Sequence, residues 1–205
     1  TYLETEGAKV LITCDCGISN KDEVEGAVKL GIDVIITDHH RLPPELPKAF
    51  AIVHPLRQGE AYPYKYLTGG AVAFKVAQAL LKGHEDKVPV GWEKWMLDLV
   101  AISLVADVGR LTGENRTLLK YGLIVLNKTR RKGLQQMYER MGTRGGSITP
   151  TTIGWQIAPR INAAGRMDHA NMAFQLLITE DDAEAARLAD ALEAANADRQ
   201  RATEK

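Results

Sequence analysis

Cysteine is almost missing from this chain of 205 residues: Cys14 and Cys16 are the only two. They lie too close together for an ordinary disulfide in extended chain, and they are too few for a structural zinc site. A disulfide scaffold is excluded, and a reducing cytoplasm is the natural compartment. Long apolar runs are missing as well. Nothing approaches the roughly 20 residues of a membrane helix, and no charged-then-apolar signal segment opens the chain. Neither membrane insertion nor export by that route is expected. There is no excess of charge either, because 26 lysines and arginines balance 26 aspartates and glutamates. Without a global positive field, any binding of a polyanion must be local. The chain opens on Thr1 rather than methionine and closes on a helical pattern at residues 201–205. Both ends read as cut, so further parts of the protein are expected outside it. What is present is a globular composition, with 45% apolar residues for a core.

Residues 9–15 form a short β-branched, apolar run that suits a strand buried on both faces. Ser19 is placed to cap a helix with Asp22 three residues on, ending at Gly31, and residues 32–37 repeat the buried-strand pattern. Strand, helix, strand is a right-handed βαβ unit with parallel strands. A third strand is expected over residues 49–53, after the turn at Pro43-Pro44. The character then becomes helical. Gly69-Gly70 opens an apolar helix through Leu81, and further helices are expected over residues 92–106, 115–127 and 134–140. Another follows Thr149, with Pro150 at the first helical position. Residues 142–147 read as a flexible connection. From Thr179 the acidic run Glu180-Asp181-Asp182 starts a long alanine-rich helix. The fold class is α/β: a parallel-sheet domain with a mainly helical second half over residues 1–178, then from 179 to 205 the start of a long connecting helix.

Asp15 ends the first strand and Asp38-His39-His40 follows the second. Neighbouring strands lie about 4.8 Å apart, and the carboxyl edge of an open parallel sheet is where ligands bind. Taken singly, Asp15 is a turn residue, Asp38 a loop cap, and the histidines are surface or core polar groups. Together at consecutive strand ends they favour a metal site. Carboxylates mixed with imidazole suit Mn²⁺ better than Mg²⁺ alone. Asp107 interrupts an apolar helix end before a glycine, and reads equally as a cleft-facing carboxylate or a turn residue. Arg160, Asn162 and Arg166 sit among small residues in an expected loop. Guanidinium forks match phosphate oxygens, but two arginines tying a loop to helix ends is an equal reading. The run Lys128-Thr129-Arg130-Arg131-Lys132 reads as a solvated face. His54, His84 and His169 read as structural or exposed, Cys14 and Cys16 as packed thiols, and Trp92, Trp95 and Trp155 as core or interface.

These residues together resemble the DHH phosphoesterases, and within them the RecJ exonucleases. Asp38-His39-His40 matches the motif that names the family, and Thr13-Cys14-Asp15-Cys16-Gly17 is similar to the aspartate motif before it. Ala106-Asp107-Val108 with Asn115-Arg116 is similar to the fourth motif. The stretch from Pro159 to Asp168, with Arg160-Ile161-Asn162 and Gly165-Arg166 inside it, is close to a RecJ signature, as is the segment from Tyr66 to Phe74. The resemblance implies that Asp15 bridges two divalent cations, Mn²⁺ or Mg²⁺, and that His39 and Asp107 ligate one of them. It implies a catalytic pair in which His40 sits near the scissile phosphate and Asp38 orients a histidine, with Arg160, Asn162 and Arg166 on substrate phosphates. The implied activity is two-metal hydrolysis of single-stranded DNA, 5′ to 3′, to 5′-mononucleotides in recombination and repair. A phosphodiesterase for short oligonucleotides or cyclic dinucleotides, and a DNA-binding scaffold with a decayed nuclease fold, are the rival readings. The family's first motif, Asp-x-Asp-Gly, is absent and is expected upstream of Thr1, so this stretch alone is expected to be inactive.

Overall fold

A computed structural model describes residues 2–143, 147–165 and 170–203. They divide into two compact units, residues 1–96 with 107–119, and residues 97–106 with 120–205.

The first unit is built on a parallel sheet in the order β1-β2-β3, with β1 at Val10–Cys14, β2 at Asp33–Thr37 and β3 at Ala51–Val53. A short helix α1 (Tyr2–Thr5) precedes β1, and α2 (Lys21–Lys29) makes the crossover to β2. The sheet is parallel throughout, with Cys14 opposite Thr37 and Thr37 opposite Val53. Its core is Val24 of α2 against Val34 and Ile36 of β2, flanked by Leu11, Ala27, Ala49 and Ile52. Full burial of side chains such as Val34 and Ile36 contributes roughly 1.5–3 kcal/mol each. Helix α3 occupies Gly69–Leu81, the span read from the sequence, and a 3₁₀ turn follows at Trp92–Met96.

Three local expectations are corrected in this unit. β1 is not buried on both faces: Val10 and Ile12, which share one face with Cys14, are 52% and 57% exposed, while Leu11 and Thr13 on the other face are half-buried. Helix α2 starts after Asn20 rather than Ser19, and it has no side-chain cap. Cys14 and Cys16 are exposed rather than packed.

The second unit is helical: α4 (Leu97–Ala106), the C-terminal half of α5 (Gly113–Leu126), α6 (Lys132–Arg140), α7 (Pro150–Thr152), α8 (Ala158–Gly165), α9 (Ala170–Ile178) and α10 (Asp182–Thr203). Thr149 and Thr152 form a reciprocal capping box at α7, with Pro150 in the first turn as expected. A π-helical stretch at Ile153–Ile157 joins α7 to α8. Its wider turn gives room for the ring of Pro159, which otherwise collides with the carbonyl four residues back. The segment from residue 158 to 165 is therefore helix and not the loop expected from its small residues. Asp181 caps α10, its Oδ1 accepting the Glu184 N–H at 2.7 Å. Helix α10 packs on α6, α8 and α9, and Trp155 is 81% exposed rather than core. Among the described residues no helix is long and apolar enough to cross a membrane.

One charged pair ties this unit together. Asp98 is 2% exposed in a largely apolar α4, and its Oδ2 accepts from Arg131 Nε at 2.8 Å. The same guanidinium donates to the Leu177 carbonyl at 2.9 Å, at the end of α9. Removing one member of such a pair strands the other charge. Asp98→Ala is expected to cost about 3 kcal/mol in urea unfolding, and a loss below about 1 kcal/mol would contradict this account of the unit.

Candidate metal centre

The parallel register carries the site residues to one edge of the sheet. Asp15 N–H donates to the Thr37 carbonyl at 2.9 Å, and Asp38 N–H to the Val53 carbonyl at 3.2 Å, so each residue extends its ladder by one step. Asp15 then turns into the left-handed region with φ of 63°, a conformation that aspartate tolerates better than most residues. Asp107 follows the last residue of α4, and next to it Val108 has φ of 51° and is 90% exposed. A β-branched residue there stores strain of order 1–3 kcal/mol, as functional turns often do.

His39 lies between two of these carboxylates. Its Nε2 is 3.0 Å from Asp15 Oδ1 and 3.4 Å from Asp107 Oδ2. The nitrogen is buried and makes no hydrogen bond. The distances suit an ion pair, but the directions do not make a hydrogen bond to either oxygen. A buried ring nitrogen facing two carboxylates without bonding them is an arrangement that a cation would satisfy. Asp15, His39 and His40 each offer a ligand atom within 4.8 Å of one another. Imidazole with hard carboxylate oxygens suits a borderline divalent ion such as Mn²⁺. The residues present therefore fit a divalent cation.

Asp38 has a different task. It is 1% exposed, and its oxygens are fully engaged. Oδ2 accepts from Ile18 N–H at 3.0 Å, while Oδ1 accepts from His39 N–H at 2.7 Å, His40 N–H at 3.2 Å and the His40 ring Nδ1 at 2.7 Å. Burial pushes this carboxyl up. The bonds from the His40 ring and the Ile18, His40 and His39 amides outweigh it and hold Asp38 below the usual carboxylate range. The bond to Asp38 raises His40 above the ordinary histidine value, against its own desolvation, and the negative charges of Asp38, Asp15 and Asp107 add to the rise. Asp38 is thus an anchor for His40 and for the turn at Ile18.

His54 was not visible as part of this arrangement from sequence. It is 1% exposed and directly follows β3, the third strand end at the same edge. Its Nδ1 accepts the Leu56 N–H at 3.1 Å, so the proton sits on Nε2, which donates to the His40 carbonyl at 2.8 Å. Burial holds its ring below the ordinary histidine value. A polar residue one step past a third parallel strand was the signal available.

Of the other residues singled out, Asn162 is exposed on α8 and Arg166 lies outside the described residues. Arg160 is spent on a two-pronged bond to Glu193 of α10, Nε to Oε2 at 2.5 Å and an Nη to Oε1 at 2.9 Å. His54→Ala leaves the His40 carbonyl and the Leu56 amide unpartnered. It is expected to cost about 1–3 kcal/mol in denaturant unfolding, and no measurable loss would mean that His54 does not brace His40.

Residues 2–104 match the DHH family, N-terminal domain. The chain is 42% identical over 203 residues to the single-stranded-DNA-specific exonuclease RecJ of Bacillus subtilis (strain 168), covering 99% of this chain and 25% of the relative. The crystal structure of RecJ in complex with Mn²⁺ from Thermus thermophilus superposes with a TM-score of 0.82 at 35% identity, over 97% of this chain and 30% of that one. The Mg²⁺ complex of RecJ from the same organism gives a TM-score of 0.71 at 33% identity, over 94% and 26% of the two chains. The chain thus spans roughly a quarter to a third of the length of these relatives. With the family match covering half its residues, and with carboxylate and imidazole gathered at the ends of parallel strands, this chain belongs to the DHH family.

Proposed function

We propose that this chain is the core of a RecJ-like exonuclease that hydrolyses single-stranded DNA from the 5′ end to 5′-mononucleotides, in the cytoplasm, during recombination and repair. Asp15, His39 and Asp107 would hold its divalent cations, Mn²⁺ or Mg²⁺. The observation that carries this reading is the buried His39 Nε2, unbonded between the carboxylates of Asp15 and Asp107.

Cations bound there supply Lewis-acid polarisation of a phosphoryl oxygen and a water nucleophile near neutral pH. The chain's own residues fix the geometry. Asp38 holds His40 at Nδ1, which leaves Nε2 as the atom to meet a phosphate oxygen. His54 fixes the backbone of His40 at its carbonyl, so the ring is held from both ends. Arg160, Asn162 and Arg166 are assigned to substrate phosphates, and Arg160 would exchange Glu193 for a phosphate oxygen to do so. Residues 1–178 act as the nuclease core, with the stretch from 179 leading toward a further domain.

The test compares the full-length protein with Asp15→Asn, His39→Gln and Asp107→Asn variants, using 5′-labelled single strands and a dinucleotide with Mn²⁺. Each variant is expected to lose at least about 100-fold in activity, more than loss of an outer partner of a metal site costs. Cleavage of the dinucleotide alone favours a small-substrate phosphodiesterase. Wild-type protein that neither binds Mn²⁺ nor cleaves either substrate favours a scaffold.

Gly69 offers a second check. A Cβ there falls 2.4 Å from the Asp15 Cβ and closer still to its carboxylate, though φ at Gly69 is not in the left-handed region. The absence of a side chain is therefore a requirement of Asp15 and not of the backbone. Gly69→Ala is expected to weaken Mn²⁺ binding about tenfold or more, read by titration. Gly26→Ala, whose methyl meets nothing within 4 Å, leaves it unchanged.

A further inference from the structure

Among the described residues, the arginines of the helical unit are largely paired with carboxylates: Arg131 with Asp98, Arg140 with Asp190, Arg160 with Glu193 and Arg187 with Glu184. Arg110, in the unit that holds the metal ligands, differs. Its exposed side chain has neither ion pair nor hydrogen bond among the described residues, and its guanidinium carbon lies 4.2 Å from the centroid of the Tyr66 ring. An arginine resting on an aromatic face keeps the hydrogen-bonding edge of its fork free while losing much of its rotamer freedom.

The ledge beneath it is rigidly built. The Tyr64 ring packs edge-on against Tyr66 at 5.7 Å and 75°. The Tyr64 hydroxyl lies 2.9 Å from the Thr112 carbonyl and 3.3 Å from that of Arg110. Asn115, fully buried, donates through Nδ2 to the Tyr66 carbonyl at 2.7 Å and the Arg110 carbonyl at 3.0 Å. The backbones on both sides of the stacked pair are therefore clamped by one amide. Glu114, four residues further on, is occupied by Lys75 and by the Tyr62 hydroxyl.

Sequence connectivity sets this ledge beside the metal ligands. Arg110 is three residues from Asp107, and Tyr66 is three residues from Gly69, whose backbone lies against the Asp15 carboxylate. Three residues span at most about 10 Å, within the combined reach of the chain and an arginine side chain. A preorganised guanidinium with all its donors unspent, next to a phosphodiesterase centre, matches the phosphate groups that such a substrate repeats along its length.

We propose that Arg110, held over Tyr66, binds a backbone phosphate of the single-stranded substrate beside the metal centre, with Tyr66 as its positioning residue. This rests on the reading of the site as a nuclease centre and adds a contact that the motif residues do not include.

The test is equilibrium binding of a fluorescent single-stranded oligonucleotide to the full-length protein in EDTA, across a series of salt concentrations, with thermal unfolding of each variant alongside. Each phosphate contact to a single strand contributes about −0.7 to the slope of log affinity against log salt. Arg110→Ala is expected to reduce the magnitude of that slope by about 0.7 and the affinity about tenfold at moderate salt. Arg110→Lys keeps the slope but loses part of the affinity, because an ammonium lacks the fork. Tyr66→Phe retains the stack and behaves as the wild type, while Tyr66→Ala weakens binding. Lys29→Ala is the control: it removes an exposed charge at the far end of α2, beside the start of β2 and opposite the ligand-bearing edge, and leaves the slope unchanged. An unchanged slope in Arg110→Ala, a slope change equalled by Lys29→Ala, or no oligonucleotide binding by the wild type overturns the proposal. Mn²⁺-dependent cleavage by the wild type, measured in parallel, separates the two readings. Its absence with a reduced slope defeats only the nuclease centre, and its presence with an unchanged slope defeats only the phosphate contact.

Discussion

The parallel register that sets Cys14 opposite Thr37 is the constraint on which the rest depends. Parallel strands end at the same edge, so the next residues, Asp15 and Asp38, emerge side by side with His39 immediately after. A one-residue slip would turn every side chain of β1 to the other face and carry Asp15 away from His39. The burial of Val34 and Ile36, both fully enclosed, specifies the register from the β2 side. Core packing and site geometry are therefore a single requirement in this unit. The apolar alternation that folds the sheet also brings the carboxylates to the imidazole.

Around that edge the chain keeps arrangements that do nothing for stability. Asp15 and Val108 both have left-handed backbone, and the carboxylates of Asp15 and Asp107 stand half-exposed toward a buried nitrogen that they do not bond. Other polar groups at the edge are satisfied with care. Asp38 accepts four hydrogen bonds, and His54 is bonded at both ring nitrogens. The contrast separates the scaffold from the atoms left for a ligand. Braced groups hold position, and the unbraced ones mark where a cation fits.

The sequence was most legible where one local rule decides. Apolar β-branched runs located β2 and β3, the two glycines and apolar spacing gave α3, and Pro150 after Thr149 marked a helix start. That Asp15 and His39 come together was legible because the βαβ rule converts adjacent strand ends into spatial neighbours. Legibility failed where a distant partner decides. Glu193 lies 33 residues from Arg160, and no local pattern announces that bond. Helix α8 continues through Pro159 only because a π turn precedes it, a feature that composition does not encode. β1 looked fully buried because its residues are apolar, but burial depends on what packs over each face of the sheet, and the face of Val10 and Ile12 stays exposed. His54 looked idle because its partners, the His40 carbonyl and the Leu56 amide, are backbone groups.

Anomalous diffraction from Mn²⁺-soaked crystals of the full-length protein tests whether the unbonded His39 Nε2 faces a divalent cation shared with Asp15 and Asp107. The expected result is a peak at bonding distance from His39 Nε2 and from a carboxylate oxygen of both Asp15 and Asp107. A peak elsewhere, or full Mn²⁺ loading with His39 Nε2 hydrogen-bonded to protein instead, would contradict it.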